Sequence, residues 1–416
     1  MTTSPTTAGP AHPAVSSAPA LVIAIGLEGL ALGGCPINAI DLARALRRRG
    51  HRIEMFAIDE QVKVSLLPYA ERSGFAVTRL PSRAGGPSRA LQIHRFARAA
   101  NADVIHVFGP WLGPAAWTAA ALAPHRTATV TNWTMENVGY IPPRMPMIVG
   151  TRGLQREAQS THRGPVPLME PPVDLDADRP DPAAGAAFRR AHGLGDDDLV
   201  AVTVSRLDAD LKAEGIGHAI DAVARLDLPK LRLVIVGDGN ARAPLERRSA
   251  AVNEALGRPA VILTGAMIDP RPAYDAADLT LGMGGSAIKC LAHGKPLVVL
   301  GLNGFARTFA PSTTGYFYEA GFFGDAGPAE PVAHLANEIR GLLPAATRQE
   351  LGGFGLAEAR QRFGLEAGAA HLERIYRTAL LEAPAGPQRI SAGARTLMRM
   401  SANEARKALR AGRAAS

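Results

Sequence analysis

Short β-branched apolar runs alternate with amphipathic helical patterns along most of this chain. In the first half the runs LVIAI, RIEMFAI, FAVTRL and DVIHVFG are separated by helical stretches, among them NAIDLARALRRRG and RALQIHRFARAA. A second series begins near residue 182 with LVAVTVS, LRLVIVG, AVILTG, LTLGMG and PLVVL, continuously apolar runs typical of strands covered on both faces. In the helix after the first of these, Ile216, Ala219, Ile220 and Val223 fall at i, i+3, i+4 and i+7. Asp221 and Arg225 form an outward i, i+4 pair on the same helix. Such alternation predicts βαβ units and parallel sheets. Because it occurs twice, the expected fold is α/β, with two doubly wound Rossmann-like domains facing a central cleft.

The proline-rich stretch LMEPPVDLDADRPDPAAG divides the two series. The expected organisation is a leader over 1–19, a first domain over 20–172, a linker over 173–183, a second domain over 184–364, a returning helix over 365–385 and a basic tail over 386–416. A length of 416 residues suits two domains, and 47% apolar against 20% charged residues describes a globular chain able to bury sizeable cores. No apolar run reaches the roughly 18–20 residues of a membrane helix. The Pro/Ser/Thr-rich start lacks a basic segment, and Glu28 interrupts the apolar run after it, so no secretion signal is read. Cys35 and Cys290 cannot form a disulfide framework, which agrees with a cytoplasmic setting. The net charge of +8 gathers in the last stretch, RISAGARTLMRMSANEARKALRAGRAAS, leaving the body near neutral and arguing against a nucleic-acid surface. That tail is read as solvated and partly helical; peripheral contact with an anionic membrane is its alternative role.

Ligands of doubly wound sheets sit beyond the carboxyl ends of the strands, so the chemistry is sought at strand-to-helix turns. In VTVSRLDADLKAEG, Arg206 and Lys212 follow a strand and could clamp a diphosphate. In LTLGMGGSAIK, the amides of Gly284, Gly285 and Ser286 would face an anion at a helix start, with Ser286 also suited to cap that helix. Lys289, in the middle of the same helix, either adds a third positive charge for the diphosphate or extends to solvent. Gly33 and Gly34 form the equivalent turn of the first domain, with Pro36 fitted to the first helical position. On the acceptor side the candidates are His106, in the strand ADVIHVFG, where simple packing is the competing role, and Trp133, Asn137 and Tyr140 in the loop TNWTMENVGYIPP. GDGNAR has Arg242 where a dinucleotide fingerprint needs its third glycine and is read as a plain turn. The acid-x-acid triplets at 176–178 and 208–210, and GDDD at 195–198, are read as polar turns and no metal site is assigned. The absence of G-x-S-x-G, H-E-x-x-H, a Walker loop and paired C-x-x-C removes serine hydrolase, zinc protease and P-loop readings.

In order and spacing, VSRLDADLKAEG, LRLVIVGDG and YDAADLTLGMGGSAIKCLAHGKPLVV resemble the donor domain of the retaining glycosyltransferases that include phosphatidylinositol mannosyltransferases and sucrose synthase, the glycosyltransferase family 4-like group. GGCPINAIDLARALRRRGHRIEMF and ADVIHV are similar to that family's glycine-rich turn, first helix and histidine-bearing strand, and the likeness spans about residues 20–380. The resemblance implies a GT-B fold and transfer of a hexosyl group from a nucleotide sugar, a substrate and not a cofactor, to a small-molecule, lipid or glycan acceptor, with retention and without metal. It implies that Arg206 and Lys212 are the diphosphate clamp, that Gly284 to Ser286 meet the donor and that Gly33 and Gly34 lie near the transferred sugar. Three departures stand out: Lys289 replaces a glutamate that grips the donor ribose, the partner glutamate ahead of the glycine turn is missing, and Phe108 takes the second place of a His-x-His. Rival readings are a non-catalytic GT-B protein that binds a nucleotide or a partner, and a sugar-nucleotide epimerase on the same plan.

Overall fold

The computed structural model describes residues 18–382 apart from 63 and 135, together with 391, 395 and 398. Almost all of the basic tail, with the membrane role read from it, lies outside the described residues. The first domain runs β1 (Val22–Leu27), α1 (Gly34–Arg48), β2 (Arg52–Asp59), α2 (Leu67–Arg72), β3 (Val77–Pro81), α3 (Gly86–Ala99), β4 (Val104–Phe108), α4 (Gly113–Ala121), β5 (Thr127–Asn132), β6 (Met147–Val149) and α5 (Arg152–Thr161). The second runs α6 (Pro182–Ala191), β7 (Leu199–Val204), α7 (Ala213–Leu226), β8 (Leu231–Val236), α8 (Arg242–Ala255), β9 (Val261–Gly265), α9 (Arg271–Ala276), β10 (Leu279–Gly282), α10 (Gly285–Ala292), β11 (Leu297–Leu300), β12 (Ala306–Thr308), α11 (Thr314–Ala320), α12 (Pro331–Gly341) and α13 (Ala345–Arg362). Helix α14 (Leu365–Leu381) follows.

Each domain is a six-stranded sheet, ordered β3-β2-β1-β4-β5-β6 and β12-β11-β10-β7-β8-β9. All pairings are parallel except β11 with β12, so the structure is the α/β, doubly wound pair that the alternating pattern predicts. Helices cover both faces, which is why the strands carry apolar residues on successive positions. In β1, Ile23 and Ile25 point into one core with Leu42 of α1, while Ala24 points into the other with Phe56 and Trp117. Asp221 of α7 is bound by Arg248 of α8, Nε to Oδ1 2.8 Å, and not by Arg225 as the helical spacing predicts. Gly217, beside the pair, leaves room for that arginine, since a Cβ there would stand 2.6 Å from its Nη1.

The chain passes between the domains twice, side by side. Val173 N donates to Phe363 O at 2.7 Å and Leu365 N to Val173 O at 2.9 Å. After the second passage α14 lies on the first domain, where Leu372 and Tyr376 enter the core beneath α1. Arg49, just past the end of α1, pairs with Glu373 at 2.8 Å along the same contact. Across the opening between the domains, Arg156 of α5 binds Glu319 of α11.

Candidate functional site

Strand order reverses between β1 and β4 in the first sheet and between β7 and β10 in the second. The loops leaving these switch points diverge and leave room for a ligand. Between them lies a cleft onto which three helix starts open: Gly34 and Cys35 of α1, Gly150 and Thr151 ahead of α5, and Gly284 and Gly285 ahead of and at the start of α10. Each start directs unpaired N–H groups and the positive end of its dipole at the same volume, which suits an anion.

The α10 turn depends on glycine. Gly284 has φ +60 and ψ −130, a backbone region closed to residues bearing a Cβ, and it caps the helix. Its own amide is engaged, donating to Phe322 O at 2.7 Å. The amides of Gly285 and Ser286 meet no acceptor among the described residues, and a Cβ on Gly285 would find nothing within 4 Å. Of the three amides expected to face the donor, two are therefore available. Ser286 is not the cap; the helix starts one residue earlier, and its Oγ turns back to Met283, 3.1 Å from the carbonyl. At the first-domain turn Gly33 caps α1 in an extended conformation that any residue adopts. Gly34 begins the helix, so Pro36 falls at the third position and not the first, still within the turn where its missing N–H costs nothing.

Arg206 and Lys212 are not among the residues that line this cleft; they stand on the loop after β7, a strand that pairs with β10 through Leu281 and Thr203. Arg206 is exposed and pairs with Asp208 at 3.0 Å. Lys212 caps α7 and is half-buried, and among the described residues no carboxylate lies within ion-pair distance of its ammonium. Burial first, and the Arg206 charge second, push it down from 10.5 to about 8. The turn GDGN after β8 braces this loop: Leu207 N donates to Asp238 O at 2.9 Å, Ala241 N to Leu207 O at 3.0 Å and Ala209 N to Asn240 Oδ1 at 2.9 Å. Gly237 and Gly239 permit the approach, for a Cβ would lie 1.8 Å from Ser205 O and 2.2 Å from Leu207 O respectively.

Four further sequence candidates sit elsewhere and are engaged by the protein itself. Lys289, read as a third charge for a diphosphate, lies 3.4 Å from Asp178 of the linker. That carboxylate also faces His293 Nε2 at 3.8 Å, while His293 Nδ1 binds Asp275 at 2.7 Å. The two carboxylates outweigh the burial that would discharge His293 and hold its pKa above the usual value. Lys289 thus offsets a buried acid at the domain junction. His106 is fully buried, with Nδ1 2.6 Å from Tyr376 Oη and Nε2 2.7 Å from Thr131 Oγ1, so it cannot touch an acceptor. Burial pushes it down to about 3, and it ties α14 to β4 and β5 as a neutral ring. Asn137 binds Thr161 at 3.3 Å on the surface and Tyr140 packs against the first core, so neither lines the cleft. Trp133 does line it, with Nε1 donating to Met169 O at 2.8 Å and its ring edge-on to Phe108 at 5.7 Å. Phe108 in the His-x-His position is buried behind Trp133 and does not line the cleft.

Two families of domain match the chain. Residues 33–203 match the glycosyl transferase 4-like domain, and residues 198–343 match glycosyl transferases group 1. The chain carries both domains of a GT-B glycosyltransferase. Solved structures share the fold of this glycosyltransferase at low identity. HepE from Anabaena in complex with UDP superposes with a TM-score of 0.63 at 16% identity, covering 86% of this chain and 99% of that one. A glycosyltransferase from Rickettsia africae gives 0.66 at 13%, covering 88% and 100%. A protein described as a UDP-N-acetylglucosamine 2-epimerase from Listeria monocytogenes gives 0.57 at 14%, covering 88% and 98%. Comparison with the curated proteins finds no match.

Within the glycosyltransferase cleft, four polar side chains went unnoticed in the sequence, Thr134 and Thr151 among them. Asn38, on α1, and Glu170, after β6, both line it. Asn38 follows Gly34 by four residues, so helical phase places both on one face and could have flagged it. Glu170 stands in a proline-rich segment with no periodicity, and nothing local marks it. The acid-x-acid triplets are engaged by protein cations, Asp208 by Arg206 and Asp178 by Lys289. Among the described residues no three His, Cys, Asp or Glu side chains gather as a metal site, and no helix is long and apolar enough to cross a membrane.

Proposed function

We propose that the protein transfers a hexosyl group from a nucleotide sugar to a hydroxyl-bearing small-molecule, lipid or glycan acceptor with retention at the anomeric carbon, using fixed cations where other transferases use a metal. The observation that carries this reading is the meeting of the Arg206–Lys212 loop and the free amides of Gly285 and Ser286 at the carboxyl ends of two paired strands. A diphosphate there would accept hydrogen bonds from the amides and lie beside two cations, one of them a half-buried ammonium without a carboxylate partner. As the bond from the anomeric carbon to the phosphate oxygen breaks, negative charge grows on the departing diphosphate, and pre-placed positive groups stabilise it without reorganising. The acceptor oxygen forms the new bond to that carbon and its proton passes to the departing phosphate, so no side-chain base is required. HepE was crystallised with UDP and with UDP-glucose, which supports a hexose nucleotide as donor.

Replacing Lys212 by alanine and measuring turnover at saturating donor tests the reading: a loss of more than about tenfold, ~1.4 kcal/mol, is expected, and a smaller one would remove Lys212 from its role. One observation favours a second reading. Lys289, standing where the resembled family has its glutamate, is spent on Asp178, so a non-catalytic nucleotide-binding protein on this fold also suits the geometry. Release of free nucleoside diphosphate from a sugar nucleotide separates the two, and conversion of the donor sugar without any acceptor would instead mark an epimerase.

A further inference from the structure

We propose that Asn38 and Glu170 recognise the hydroxyls of the transferred sugar from the first-domain wall of the cleft. This rests on the transferase reading. Asn38 is 6% exposed, lines the cleft and has no hydrogen-bond partner among the described residues. Its carboxamide is open to the cleft and unengaged by the protein, so it can donate to and accept from an occupant that carries hydroxyls.

Glu170 is held in a way that leaves one oxygen for a ligand. Its Oε1 accepts from Arg362 Nη2 at 2.9 Å. The guanidinium is itself fixed, stacked on Tyr318 at 3.8 Å from the ring centre. Oε2 has no hydrogen-bond donor among the described residues. A carboxylate with one oxygen anchored and one open accepts strongly from sugar hydroxyls, while Asn38 can both donate and accept. Trp133 adds the apolar ring face that sugars pack against. The helix starts of α1 and α10 lie across the same space, so the diphosphate and the sugar would be read by different groups: amides and cations for the former, Asn38 and Glu170 for the latter. The sugar class that suits this wall is a neutral hydroxyl-rich hexose, since a uronate would bring a second carboxylate against Glu170.

The test uses the full chain and its Asn38→Ala and Glu170→Gln variants. UDP, GDP, ADP and dTDP are screened by melting temperature, and whichever binds is compared with its glucose conjugate by calorimetry. Glu170→Gln keeps an oxygen for Arg362 and so should fold like wild type. The expected result is that the nucleoside diphosphate binds both variants within about twofold of wild type while its glucose conjugate binds each about tenfold more weakly. Wild type should also bind the glucuronate conjugate less tightly than the glucose one, and Glu170→Gln should narrow that gap, which a merely structural glutamate would not do. If the glucose conjugate loses no more than the bare nucleotide, or the glucuronate gap stays unchanged, this assignment is overturned while the transferase reading stands. If no nucleotide binds wild type, the transferase reading falls and takes this assignment with it.

Discussion

Replacing Lys212 by methionine removes a charge from a site that penalises it, and the size of the effect follows from the structure. The fall from 10.5 to about 8 corresponds to about 3 kcal/mol by which the folded chain disfavours the ammonium at neutral pH. The folded chain binds this proton less tightly than the unfolded one, so between about pH 8 and 10.5 the unfolded state holds more of it and wild-type stability rises with pH. Below that window the penalty is present in full. Methionine keeps the length of the side chain and abolishes the linkage. The stability of Lys212→Met relative to wild type should therefore shrink by about 2 kcal/mol between about pH 7 and about pH 9.5. All three tryptophans, Trp111, Trp117 and Trp133, lie in the first domain, so the second domain is best followed by far-ultraviolet circular dichroism during urea unfolding at each pH. Parallel pH profiles for the two proteins would refute the argument that burial beside Arg206 strains this lysine. In the same preparations nucleotide affinity should fall as pH rises through about 8 in wild type and be weak throughout in the variant.

Other parts of the molecule give further expectations. His106→Ala should lower stability by about 3 kcal/mol, because Tyr376 and Thr131 lose their buried partner and a cavity remains. Its stability should also decline less than wild type's as pH falls from 6.5 toward 3, since the depressed pKa of His106 makes the folded wild type shed stability across that range. Asp178→Asn, which strands Lys289 and His293, should cost about 3 kcal/mol in urea unfolding, whereas Asp176→Asn, exposed two residues away, should stay within about 0.5 kcal/mol. Gly239→Ala would place a Cβ 2.2 Å from Leu207 O and should weaken nucleotide binding by shifting the basic loop, while Gly285→Ala, which meets nothing, should melt like wild type and weaken binding by narrowing the anion site.

The fold was legible because burial on both sheet faces writes continuous apolar runs such as LVAVTV and LRLVIV, and a period of that strength survives any detail of packing. Gly284 was legible for a related reason: a glycine between a strand and a helix marks a backbone conformation that only it adopts. Side-chain partners were not. Whether Lys289 faces a diphosphate or Asp178 depends on where the linker runs, and the linker has no periodicity to fix its path. His106 reads in sequence as a polar residue near a strand end, and only the arrival of Tyr376 from a distant helix turns it into a buried tie. GDGN read as an ordinary turn, and its bracing of the basic loop depends on β8 lying next to β7.

Because α14 completes the hydrophobic interior beneath α1, the beginning of this polypeptide cannot settle until its far end has been made. A ribosome would deliver the first sheet with one flank open, then the whole of the second domain, and only afterwards the helix that seals the gap. Vectorial synthesis, which ordinarily favours the earliest domain, is here turned round. A chain interrupted after α13 would lack Leu372 and Tyr376 and leave α1 and β5 uncovered along one flank, a surface that chaperones and proteases recognise.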